Sequence, residues 1–192
     1  METSCTAEFK DRGSKFLAFA YPISSMDDVK KYLHNLKDLH PKAVHFCYAF
    51  RLGTDGNLFR AADDGEPSGS AGKPILGQID SLGITNILVI IVRYFGGTLL
   101  GVPGLIHAYK TSTQLALQSA NIIEKKIEKI FLLEFTYDLM NEVMRILKQY
   151  HVNIIKNDMK LFCEFEIGIS LDDVEGSIEK LNKLRGVTVK VK

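Results

Sequence analysis

Residues 87–92 read Ile-Leu-Val-Ile-Ile-Val, the longest apolar run in the chain. A strand with one wet face alternates polar and apolar residues, so an unbroken run of this length suits a fully buried strand. Six residues are too few to cross a bilayer. The chain must therefore supply cover for this strand from its other segments.

Upstream, residues 15–23 are strand-like, with Pro22 at the end. Ser24 or Ser25 caps a helix whose first turn carries Asp27 and Asp28, favourable at the positive end of a helix dipole. Val29, Tyr32, Leu33, Leu36 and Leu39 recur at helical spacing until Pro41. Residues 43–52 form a strand in which Val44, Phe46, Tyr48 and Phe50 alternate with His45, Cys47 and Ala49. A turn at 53–57 and a returning strand at 58–61 complete a hairpin. A short helix is expected from Ile75 to Leu82, with Ile75, Leu76, Ile79 and Leu82 inward. A long helix is expected from Leu105 to Asn121, with Ile106, Tyr109, Thr113, Ala116, Leu117 and Ala120 inward.

The rhythm then changes. Strands at 130–137, 152–156, 161–170 and 187–191 and helices at 138–150 and 171–184 give the order β-α-β-β-α-β, the split arrangement of ferredoxin-like domains. The charged Glu124-Lys125-Lys126 marks the joint, so the expected domains are 1–126 and 127–192 in an α+β chain. The second is near the lower size limit for independent folding.

Charge excludes some partners. The formal net charge is +1, with 14 Lys+Arg against 12 Asp+Glu in residues 1–126 and 10 against 11 in 127–192. Neither half is a basic module, and no global field draws in nucleic acid or an anionic membrane. The scattered Cys5, Cys47 and Cys163 make no disulfide framework and point to a reducing compartment. Charges at Glu8, Lys10, Asp11, Arg12 and Lys15 interrupt any apolar leader. The expectation is a cytoplasmic monomer with no membrane partner.

Two loops could carry chemistry. The first, 63–74, reads DDGEPSGSAGKP. Asp63, Asp64 and Glu66 repel one another unless a positive group sits among them. Mg²⁺ would serve; an arginine fork from Arg93 would serve without a cofactor. The loop's glycines and serines, with Ser68 and Lys73 among them, offer amides ahead of a helix, an anion-binding arrangement. A Walker phosphate loop is excluded, because Pro67 stands where its first glycine belongs and Pro74 replaces the magnesium-binding hydroxyl. The second loop, 93–104, reads RYFGGTLLGVPG and joins the buried strand to the long helix, where α/β folds place ligands. Its glycines, Gly96 and Gly97 among them, either cradle a ligand or let the helix pack closely. Tyr94 and Phe95 could stack on bases, although alternation sends at least one of them into the core. His45 and Cys47 share a strand face, yet no second Cys/His cluster completes a zinc site and no G-x-S-x-G elbow is present.

Taken together, D-D-G-E-P-S-G-S-A-G-K-P-I-L at 63–76 and V-R-Y-F-G-G-T-L-L-G-V-P-G-L-I-H-A-Y at 92–109 closely resemble the IMPACT/YigZ family. The strand His45 to Arg51 and the entry Ser14-Lys15-Phe16 resemble the same family, and the resemblance spans the chain in domain order. It implies a ribosomal protein S5 domain-2-like first domain and a ferredoxin-like second domain similar to the carboxy-terminal modules of elongation factor G. Bacterial members have no settled activity. Eukaryotic relatives regulate translation through protein contacts with a partner of a stress-responsive initiation-factor kinase. A peptidase label carried by some members has no support in these residues. His107 stands where many relatives have Arg or Lys, and Pro103 where many have glycine; both weaken a phosphate site at that corner.

The resulting expectation is a non-catalytic, translation-linked regulator. It would contact RNA, the ribosome or a translation-associated protein through Asp63, Asp64, Glu66, Ser68, Lys73, Arg93, Tyr94, Gly96, Gly97 and His107, with no cofactor. One alternative is an enzyme acting on a phosphorylated small molecule, with Mg²⁺ held by Asp63, Asp64 and Glu66. Another is a pure protein-interaction module with an exposed apolar patch around Phe162, Phe165 and Ile167.

Overall fold

The apolar run lies within a strand, Ile87–Tyr94, at the centre of a five-stranded antiparallel sheet. A computed structural model describes Met1 and residues 3–192. The chain forms two compact units, Met1–Ile123 and Glu124–Lys192.

The first unit runs β1 (Cys5–Asp11), β2 (Ser14–Pro22), α1 (Met26–Leu39), β3 (His45–Leu52), β4 (Leu58–Ala62), α2 (Gly72–Ser81), β5 (Ile87–Tyr94) and α3 (Gly101–Gln118). Its sheet order is β1-β2-β5-β3-β4. Alternation along β5 explains the unbroken apolar run. Leu88, Ile90 and Val92 face α1 with Val29, Leu36, Phe46 and Phe50. Ile87, Val89 and Ile91 face α2 and α3 with Ile75, Ile79, Leu105 and Tyr109. Ala18 and Ala20 on β2 and Ala49 on β3 keep that second face low, so helices carrying Ala108 and Ala116 approach closely.

Several element boundaries differ from the sequence reading. β1 was not expected, because its charges were read as interruptions. They alternate with Cys5, Ala7 and Phe9, which turn toward the core. Arg12 (φ 45°) and Gly13 (φ 79°) form a two-residue turn with both residues left-handed, the geometry that closes a tight hairpin. Ser25 is the cap of α1: its hydroxyl accepts from Asp28 N at 3.2 Å, and Asp28 Oδ2 accepts from Ser25 N at 3.0 Å. Leu39, at the end of α1, is exposed. α2 begins three residues before Ile75 and leaves Leu82 half-exposed outside its C-terminus. α3 begins at Gly101 rather than Leu105; Ile106 lies at the surface, and Leu105, Ala108 and Ser112 are inside.

The second unit runs β6 (Glu128–Phe135), a 3-10 turn at Tyr137–Leu139, α4 (Met140–Gln149), β7 (Asn153–Met159), β8 (Cys163–Ser170), a 3-10 turn at Leu171–Asp173, α5 (Val174–Asn182) and β9 (Thr188–Val191). The sheet order is β7-β8-β6-β9, all antiparallel. Phe131, Leu133 and Phe135 of β6 and Phe165, Ile167 and Ile169 of β8 pack against Val143, Ile146, Leu147 and Leu181 of the helices. Of the expected apolar surface around Phe162, Phe165 and Ile167, only the Phe162 end is exposed, near Leu161 and Met159. Phe165 and Ile167 are core, and Phe162 alone of the three is exposed, at the β7–β8 turn. Among the described residues no helix is long and apolar enough to cross a membrane.

Candidate functional site

Alternation carries Arg93, the next residue of the Ile87-Val89-Ile91 series, onto the α2/α3 face of the sheet. Only 6% of its side chain is exposed, and a buried guanidinium needs a counter-charge. Glu66 of the 63–71 loop supplies it: Arg93 Nη1 donates to Glu66 Oε1 at 2.6 Å. Tyr109 of α3 donates its hydroxyl to the same oxygen at 2.7 Å. Cys47 of β3 lies behind them, its Sγ 3.2 Å from Tyr109 Oη and 2.9 Å from Asp63 O. Burial pushes the Cys47 thiol far up, and the carboxylates of Glu66, Asp64 and Asp63 add to it. Burial likewise pushes the Tyr109 phenol far up, with Cys47 and Glu66 reinforcing it. In both, burial favours the neutral, protonated form. His45 is anchored by Nδ1 to Asp64 O at 2.8 Å, and its Nε2 lies 3.9 Å from Glu66 Oε1. His45 and Cys47 do share a face, but each is committed to a different partner.

The first loop spends its other two carboxylates on backbone. Asp63 Oδ2 accepts from Gly69 N at 2.8 Å, while Oδ1 accepts from Ala71 N at 3.0 Å and Gly72 N at 2.8 Å. Burial opposes its ionisation, but these three amides outweigh burial, with Lys73 helping, and hold the carboxyl below its ordinary range. The amides expected to bind an outside anion at the start of α2 are thus already capped by the chain's own Asp63. Asp64 Oδ2 accepts from Phe46 N at 2.7 Å and fixes the start of β3. Of the three carboxylates that Arg93 could have met, it pairs with Glu66. Among the described residues no three His, Cys, Asp or Glu side chains are grouped to hold a metal. A Mg²⁺ bound by Asp63, Asp64 and Glu66 does not fit, because their oxygens are turned to separate partners.

The second loop is held against the first hairpin. A Cβ at Gly96 would overlap the backbone of Gly13 and Ser14, and Gly96 N donates to Ser14 Oγ at 3.2 Å. Gly96 is therefore needed for close packing. Gly97 is left-handed (φ 85°) with open space around its Cβ position. Tyr94 packs on the α1 side, its hydroxyl 2.9 Å from His40 Nδ1. Phe95 is 49% exposed, with its ring centroid 5.9 Å from the Arg93 guanidinium.

The two loops converge on a cleft of about 420 Å³. His45, Glu66 and Arg93 line it, together with Val44, Phe95, Leu99, Leu100, Val102 and Leu105. Of the residues singled out from sequence, Glu66 and Arg93 meet at this cleft. Asp63 and Asp64 brace the loop behind it. Ser68 and Lys73 are exposed and do not line it. His107 is exposed on α3, with its ring edge-on to Phe9 at 6.2 Å between centroids. Sequence reasoning singled out Phe95 but missed the other apolar members, above all Leu99, which is 83% exposed. The available signal was a Leu-Leu pair inside an otherwise glycine-rich loop.

Fold and site define a class: a two-unit α+β protein whose first unit brings two glycine-rich loops together around a largely apolar cleft. Residues 12–117 match the family model described as the Impact N-terminal domain. An IMPACT family member from Haemophilus influenzae is 32% identical over 88% of this chain and 84% of its own length. The IMPACT family member YigZ from Escherichia coli is 30% identical over 81% of this chain and 78% of its own. The chain belongs to the IMPACT family. A crystal structure described only as a hypothetical protein overlaps 100% of this chain and 95% of its own, with 27% identity and a TM-score of 0.74.

Proposed function

We propose that this chain is a non-catalytic, translation-linked binding protein that holds RNA, the ribosome or a translation-associated protein on the first-unit surface around the cleft. The observation that carries the reading is the open cleft itself, built where the two family-specific loops meet. The groups nearest to it are ion-paired, as Glu66 and Arg93 are, or held protonated, as Cys47 and Tyr109 are. Such a site is equipped to hold a partner: its ion pair is already satisfied, and burial favours the neutral forms of the Cys47 thiol and the Tyr109 phenol. Family membership supports the link to translation, which the resemblance implies for eukaryotic relatives.

On this reading the first domain, 1–126, has the ribosomal protein S5 domain-2-like fold. The second, 127–192, is ferredoxin-like and similar to the carboxy-terminal modules of elongation factor G. The strand order β7-β8-β6-β9 and the β-α-β-β-α-β sequence support the second assignment. Asp63, Asp64, Ser68, Lys73, Tyr94, Gly96, Gly97 and His107 then shape or flank the surface that Glu66 and Arg93 centre.

Ribosome co-sedimentation and RNA gel shifts at physiological salt test the proposal. The wild-type chain at micromolar concentration is expected to travel with ribosomes or shift RNA, and the surface variant Leu99→Asp is expected to do so less. Absence of the wild type from both fractions sinks the translation link.

A further inference from the structure

We draw no further inference here: the strongest candidate, the second-unit cleft between the β7–β8 turn and the start of β9, where Leu161 and Phe162 stand exposed beside Glu134, Asp158 and Glu164, carries nothing, because Lys190 and Lys160 of the same chain already pair with Glu134 and Asp158 and nothing in the structure shows what covers its apolar side chains.

Discussion

One oxygen of Glu66 accepts from both the Arg93 guanidinium and the Tyr109 hydroxyl, so these two donors depend on it unequally. Glu66→Gln removes the counter-charge of a guanidinium that is only 6% exposed. Breaking a buried pair from one side costs about 3–5 kcal/mol, because the remaining charge stays desolvated. Tyr109→Phe removes one neutral donor and leaves the ion pair in place, so its cost is about 1 kcal/mol. Urea unfolding of the two variants should show this ordering. Equal losses would mean that the Glu66–Arg93 pair is worth no more than a hydrogen bond. Of this network the sequence offered the composition but not the pairing. Three carboxylates within four positions demanded a cation, and Arg93 was the evident one. Which carboxylate it meets is decided by the backbone: Asp64 (φ 43°) and Gly65 (φ 88°) are both left-handed, and the chain reverses there to bring Glu66 inward. The Asp64-Gly65 dipeptide signals a turn, but not which carboxylate that turn brings inward.

At the scale of elements, the connection from β5 to α3 is where glycine is used in two different ways. Gly96 lies where a Cβ would overlap the Gly13–Ser14 backbone, which cannot give way as a flexible side chain would. Gly97 has room for a Cβ but a φ of 85°. Gly97→Ala should therefore cost about 1–2 kcal/mol, the penalty of a left-handed non-glycine residue. Gly96→Ala should cost more, since the β1–β2 turn must move away from the loop. Thermal melts of the two variants check the order; a greater loss at Gly97 would contradict this packing of the loop on the hairpin. The same elements show what was legible. The apolar run, the α1 periodicity and the alternation of β3 follow from local rules and were read directly. β1 was hidden by its own alternation, since Glu8 and Lys10 looked like breaks until Phe9 and Ala7 had a face to turn toward. The start of α2 was hidden differently. Pro74 reads as a stop, yet it is tolerated in a helix's first turn, where its missing N–H has no intrahelical acceptor. The cap comes from Asp63, nine positions ahead of Gly72 and outside any local window.

For the whole molecule, the apolar cores are separate: two clusters sandwich the first unit's sheet, and a third lies within residues 124–192. The cleft's apolar rim was legible only at this scale, because Val44, Phe95, Leu99 and Val102 become one surface only after the sheet sets β3 beside β5. Separate cores also give acid stability a location. The Asp63 carboxyl is held below its ordinary value in the folded chain by the amides of Gly69, Gly72 and Ala71, which overcome burial. A depressed folded pKa contributes stability that is complete above the unfolded value of about 3.9 and is lost as pH falls through the folded value. Asn at position 63 can accept but carries no charge, and its amide group faces one of the three N–H donors. Asp63→Asn should therefore destabilise the first unit by about 1–2 kcal/mol at neutral pH, the range of a lost helix cap. The difference from wild type should shrink toward zero as the pH drops below 3.9, because a protonated Asp63 is then no better an acceptor than Asn. Urea unfolding followed by NMR at several pH values can read both units at once. The methyl signals of Ile75 and Ile79 report the first unit's core, and those of Ile167 and Ile169 report the second. The midpoint at Ile75 and Ile79 should carry the pH-dependent difference, and the midpoint at Ile167 and Ile169 should be the same in both proteins. A difference that persists undiminished in acid would show that Asp63 acts through shape alone and that its charge contributes nothing to capping α2.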